Sequence, residues 1–136
     1  MTNTIAPKDC LEPIINALRE SASARECLIE NRLGPETQIN TDPEALIFIF
    51  KRLLSLIISS SRRSTIRILE LRDGDKISIV VSDNNNDYTG FISGKMEKHQ
   101  SLIRRAGGYL RFEFNNQRSI AVILQFSCDC RDIASI

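Results

Sequence analysis

The apolar positions of the chain fall into helical and strand periods that alternate from one end to the other. Leu11, Ile14, Ile15 and Leu18 recur at intervals of three and four, which predicts a first helix over residues 8–22. Its apolar stripe is narrow and needs a sheet to cover. "ECLIEN", residues 26–31, then reads as a short edge strand, and "RLGPETQIN" as a connector punctuated by Gly34 and Pro35. In "TDPEALIFIFKRLLSLIISSS", Asp42 is placed to cap free amides and Pro43 stands at the first helical position, where its missing donor costs nothing. Apolar residues between positions 45 and 58 cover most of the circumference of this second helix, which therefore lies deep against a sheet. "TIRILEL" and "KISIVVS" are strand-like runs joined by the turn dipeptide Asp73-Gly74, a hairpin. After the polar run "SDNNNDYTG", Met96, His99, Leu102, Ile103 and Ala106 give a third helical face that starts at Lys95 or Met96. Gly107-Gly108 stops it in the position of a left-handed C-cap. "YLRFEFN" and "SIAVILQF" form a last hairpin around Asn116-Gln117, with Leu110, Phe112 and Phe114 facing the core and Arg111 and Glu113 facing water.

This order implies an α/β sandwich: a mixed sheet of about five strands with three helices packed on one face. One domain is expected over residues 9–126, with a flexible N-terminus at 1–8 and a C-terminal tail at 127–136. Neither an internal repeat nor a low-complexity segment interrupts it.

Composition narrows the function classes. Apolar residues make up 42% and charged residues 26% of the 136, which suits a soluble fold and excludes disorder as the main description. The formal net charge of +1 gives no global field to recruit nucleic acid. Arg62-Arg63 and Arg104-Arg105 lack an interleaved row of aromatics and read as solvated faces. The start "MTNTIAPKDC" has neither a basic nor an apolar signal region, so a cytoplasmic location is expected. The densest apolar run is broken by Lys51, Arg52 and Ser55 and falls short of the roughly 20 residues a bilayer requires, so no membrane insertion is expected. Of Cys10, Cys27, Cys128 and Cys130 only the last two are close, and their CxC spacing is not that of a zinc or redox pair. Reduced thiols are expected, and no metal.

Three landmarks together carry a resemblance. They are "DPEAL" opening the long helix, "ISIVVSDNN" where a strand runs into an aspartate, and "LIRRAGGYLRFE" where a helix, a glycine pair and a strand follow one another. In this order they resemble the ATP-binding catalytic domain of sensor histidine kinases, within the wider ATPase family that includes gyrase, Hsp90 and the anti-sigma-factor kinases. The similarity spans roughly residues 9–126.

The resemblance also locates a degenerate site. The family's asparagine box, laid on "RLLSLI", puts Arg52 and Leu56 where two asparagines would face ATP from one side of the helix. The second of these helps hold Mg²⁺ through a hard carboxamide oxygen, and Leu56 has no donor. Arg52 repels a divalent cation but is able to pair with phosphate oxygens. Asp83 matches the aspartate that reads the adenine amino group, while the glycines of the family's DxGxG box become Asn85 and Asp87. Side chains there fill space the ligand needs, and Asp87 adds a negative charge. The family's glycine-rich lid is reduced to "FIS" and Gly94 between Gly90 and the third helix. His99 is expected to be an ordinary helix residue partly packed on the sheet.

The remnant nucleotide site is therefore Asp83, Asn85, Asp87 and Arg52, with no catalytic residue. The resemblance implies an inactive domain acting as an interaction or regulatory module in two-component or phosphorelay signalling. Its expected partners are a kinase or a response regulator, with a homodimer as a further possibility and no nucleic acid. No cofactor is expected. The alternatives are a domain that binds ATP or ADP without Mg²⁺, with Arg52 replacing the metal's charge, and an active kinase of the anti-sigma or histidine kinase type.

Overall fold

The most apolar segment of the chain becomes the centre of the fold. A computed structural model describes residues 3–127. The elements run β1 (Asn3–Ile5), α1 (Pro7–Ala24), β2 (Leu28–Asn31), β3 (Ile39–Thr41), α2 (Pro43–Ser60), β4 (Thr65–Asp73) and β5 (Lys76–Asp83). They continue with α3 (Thr89–Glu97), α4 (Gln100–Arg105), β6 (Gly108–Asn116) and β7 (Ser119–Ser127).

A five-stranded sheet has the order β2-β4-β5-β7-β6, in which only β2 and β4 run parallel. The register places Ile68, Val81, Val122 and Phe112 in one row on the helix-facing side, and Leu69, Val80, Ile123 and Arg111 in the next row on the open side. Ile66, Ile68, Ile77, Ile79, Val81, Val122 and Leu124 are fully buried beneath the helices, where Leu46, Ile49, Phe50, Leu53, Leu54 and Ile57 of α2 meet them. Each such side chain contributes roughly 1.5–3 kcal/mol by leaving water.

The second helix starts as expected. The Asp42 carboxylate accepts the N–H groups of Glu44 at 3.1 Å and Ala45 at 3.5 Å, with Pro43 at the first helical position. Burial pushes the Asp42 carboxyl up, but those amides and nearby positive charge, Arg105 included, outweigh it and hold the group below the usual carboxylate range. Gly107 takes φ +79°, the left-handed stop, and Gly108 lies so close to Phe126 that an added Cβ would stand 2.9 Å from its ring.

Several boundaries differ from expectation. Residues 3–5, assigned to a flexible N-terminus, pair as β1 with β3, a strand hidden in the supposed connector. The pairing buries Ile39 completely and half-buries Ile5. The expected sheet-and-helix layering is present, and the third helix begins at Thr89 and is broken into α3 and α4, which makes four helices among the described residues. Ile92 and Met96, four apart and fully buried, give α3 its face, which Gly90 and Gly94 obscure because glycine disfavours helix. Phe114 is 49% exposed: the ladder to β7 loses its register between Glu113 and Asn116, and the end of β6 leaves the core. Ser127 belongs to β7; the rest of the expected tail, with Cys128 and Cys130, lies outside the described residues.

Candidate functional site

Asp83 ends β5 on the helix-facing side of the sheet, opposite Ile120, and only 1% of it reaches solvent. A buried carboxylate must find donors. Ser64, in the turn between α2 and β4, donates its hydroxyl to Oδ1, and the Asn85 N–H reaches the same oxygen at 3.4 Å. Asn86 Nδ2 donates to Oδ2 at 3.0 Å. Both oxygens are thus held by the protein.

Asn86 is the residue that sequence reasoning missed. It is fully buried, and besides Asp83 its Nδ2 serves the Ile57 carbonyl at 3.2 Å. Its Oδ1 accepts from the Ser60 hydroxyl at 2.8 Å and from the Tyr88 N–H at 3.1 Å. A carboxamide offers two donors and two acceptor lone pairs, and all are used. The main chain follows the same logic: Asn86 N–H donates to the Arg118 carbonyl at 2.9 Å, and Asp87 N–H to the Ser60 carbonyl at 3.1 Å. The Ile57 and Ser60 carbonyls belong to the last turn of α2, where the helix supplies them no backbone donor. Asn86 and Asp87 therefore cap α2, and this explains the buried Asn86 without a ligand.

The outer rim is closed by Arg118. Its guanidinium donates to Asn85 Oδ1 at 3.2 Å and Asp87 Oδ1 at 2.7 Å, which neutralises the charge expected to repel an anionic ligand. Asn85 Nδ2 in turn donates to the Arg62 carbonyl. No buried side-chain polar atom among the described residues lacks a partner.

The other positions expected in the site do not join this cluster. Arg52 is exposed and lines a depression of about 280 Å³ with Phe48, Lys51 and Ser55, whereas Asp83, Asn85 and Asp87 gather at the C-terminal end of α2. Leu56 is buried in the core, so the two asparagine-box positions do not share one pocket. The lid is shorter still than expected, because "FIS" and Gly94 are turns of α3 and only residues 84–88 separate it from β5. Ile92 and Met96 bring that helix down onto the core shared with Leu53, Leu56 and Ile57. At the positions the resemblance assigns to Mg²⁺-ATP the residues present do not fit that group: Leu56 offers no hard oxygen donor, Asp83 is buried with both oxygens bonded within the protein, and only five residues separate α3 from β5 where a lid would lie.

His99 heads α4 in the break after α3, half-buried, with its ring edge-on to Phe48 at 5.5 Å between centroids. The described cysteines are free thiols: Cys27 is buried, and the Cys10 thiol is pushed up by burial and by the charge of Asp9. Among the described residues no three His, Cys, Asp or Glu side chains group as metal ligands, and no helix is long and apolar enough to cross a membrane.

No protein-family model matches the sequence, and neither does any curated protein. Solved structures do match. The Acinetobacter baumannii histidine kinase AdeS superposes with a TM-score of 0.79 at 15% identity, covering 95% of this chain and 68% of that one. The mycobacterial sensor histidine kinase MprB gives 0.76 at 11% identity, over 93% of this chain and 97% of the other. The catalytic domain of histidine kinase ThkA gives 0.75 at 9%, again over 93% and 97%. At such identities the shared property is architecture, and the chain has the fold of the ATP-binding catalytic domain of histidine kinases.

Proposed function

We propose that this chain is a histidine-kinase-like domain that handles no nucleotide and serves as an interaction or regulatory module in two-component or phosphorelay signalling, inside the cell. A single observation supports this best: both oxygens of the buried Asp83 are taken by Ser64, Asn85 and Asn86. Three donors fill three of the carboxylate's four lone-pair sites and only 1% of Asp83 reaches solvent, so a base meets it only once the loop opens and these bonds, worth roughly 1.5–3 kcal/mol each, rearrange. The exposed Phe48, Tyr88 and Phe91 on and beside α2 and α3 add apolar surface of the kind a signalling partner covers. The partner on this reading is a kinase or a response regulator.

Calorimetric titration with ATP and ADP, in Mg²⁺ and in EDTA, tests the nucleotide half. No saturable heat at millimolar nucleotide is expected. Binding that survives EDTA and disappears in Arg52→Ala would establish a Mg²⁺-independent nucleotide domain instead. Autokinase or ATPase activity abolished by Asp83→Asn would establish an enzyme.

A further inference from the structure

We infer that β6 is the seam of a symmetric homodimer in which two copies join their sheets edge to edge, antiparallel, with Phe112 facing its own counterpart across the two-fold axis. β6 is the last strand of the five-stranded sheet, nine residues long, and has no strand on its outer side among the described residues. Protected edges are short or carry charges of one sign, so that a second copy is repelled. This one is long, and its two charges are opposite and adjacent to the centre: Arg111 and Glu113 flank Phe112, 66% and 55% exposed at their side chains and 3.8 Å apart as a wet ion pair within the single chain, which exchanges for two pairs across the seam.

Antiparallel pairing about Phe112 places residue i of one copy opposite residue 224 − i of the other. Arg111 then faces Glu113 of the second copy, and Glu113 faces its Arg111, with Cβ atoms about 4.5–5.5 Å apart. On the helix side Leu110 meets Phe114 of the second copy, and Phe112 meets itself. That side already holds Phe112 and Phe114 stacked at 6.4 Å, with Phe114 49% exposed and Leu110 and Phe112 half-buried. An apolar row across the seam therefore covers surface that the single chain leaves wet.

Charge also selects the register. Keeping the helices of both copies on one side of a continuous sheet requires an axis through a residue, because the side-chain period is two. An axis through Arg111 sets the two guanidiniums against each other, and an axis through Glu113 does the same with the carboxylates. Only Phe112 between them gives two opposite-charge pairs, as a self-complementary two-fold interface demands. Such a dimer forms whether or not nucleotide binds, so its fate and that of the functional reading are separable.

Sedimentation or light-scattering mass of the full chain tests this. Wild type is expected to reach twice the chain mass as concentration rises. Arg111→Glu and Glu113→Arg, each placing like charges across the seam, are expected to run as monomers with wild-type circular dichroism. The double exchange Arg111→Glu/Glu113→Arg restores opposite pairs and is expected to restore the dimer. A wild-type monomer at every concentration, a dimer indifferent to Arg111→Glu, or a double exchange that stays monomeric each overturns the seam as described.

Discussion

Asn86 donates to Asp83 across 3.0 Å in a place where neither side chain touches bulk water. The bond ties the end of β5 to the last turn of α2, since the same carboxamide also holds the Ile57 carbonyl. Asn86→Ala strands the Tyr88 N–H and an Asp83 oxygen at once, while the Ser60 hydroxyl keeps the Leu56 carbonyl at 3.1 Å. Each buried polar group left unmatched costs about 1–3 kcal/mol. A loss of about 2–4 kcal/mol is expected, read as a lower urea midpoint with unchanged slope. In a cycle with Asp83→Ala the two changes should couple by about 0.5–3 kcal/mol. Were the pair kept for a ligand, the variants would instead change binding and leave the midpoint nearly in place.

Restoring the missing glycines should not restore the missing ligand. Asn85→Gly/Asp87→Gly gives the loop the family's backbone freedom and removes two partners of Arg118, whose pair with Asp87 is partly exposed. Exposed pairs are worth about 0–1 kcal/mol, so the double variant is expected to fold with a small loss. Ile92 and Met96 of α3 remain buried over α2 whatever the loop contains. Titration of the double variant with ATP is expected to stay flat, and saturable binding would mean that the glycines alone had closed the pocket.

Much of this architecture was legible because it rests on strong periodic signals. The apolar girth of residues 45–58, the Asp42-Pro43 start and the Gly107 stop each have one physical solution, and the structure adopts all three. The register of the strands was implicit in their alternation. The short pair β1 and β3 was not, because three residues carry no period. Nor was α3, whose glycines speak against helix and whose support comes from burial of Ile92 and Met96 in contacts distant in sequence. At the site, Asp83 could be picked out as the end of a strand, but "NNN" does not say which asparagine turns inward. That choice is made by the open carbonyls of α2, a tertiary fact. Arg52 was placed with the loop by family pattern alone, and the loop closes without it.

The cap on α2 gives stability a pH dependence of known sign. Asp42 is held below the usual carboxylate range, with burial opposed and exceeded by the amides of Ala45 and Glu44 and by positive charge including Arg105, whose guanidinium lies 3.5 Å from Oδ2. A group whose folded pKa is depressed contributes fully above its unfolded pKa, and the contribution disappears as pH falls through the lower folded value. Asp42→Asn keeps a capping oxygen and removes the ionisation. Wild type should therefore melt above Asp42→Asn at neutral pH, and the gap should close on acidification. A gap that stays constant into acid would show that the carboxylate's charge plays no part.

Two ordinary residues next to the site sit in the left-handed region, Glu26 at φ +59° and Arg63 at φ +51°. Glu26 holds the position that glycine usually fills after a helix: its N–H donates to the Ser23 carbonyl at 2.9 Å, and the Cys27 N–H to the Ala22 carbonyl at 2.9 Å, the paired closure of a Schellman stop. Arg63 N–H donates to the Arg25 carbonyl at 3.1 Å, so the two left-handed residues together seal the end of α1. For a residue with a Cβ this conformation costs about 1–2 kcal/mol, part of which glycine returns as lost chain entropy. The Glu26–Arg63 ion pair, 3.5 Å long and about two-thirds exposed on both sides, offsets little of it. Glu26→Gly is accordingly expected to raise stability by about 0.5–1 kcal/mol, and Arg63→Gly by a similar amount. Either change deletes the same ion pair, so the double variant should gain slightly more than the sum of the two. A lower urea midpoint in Glu26→Gly would show that the exposed pair outweighs the backbone strain.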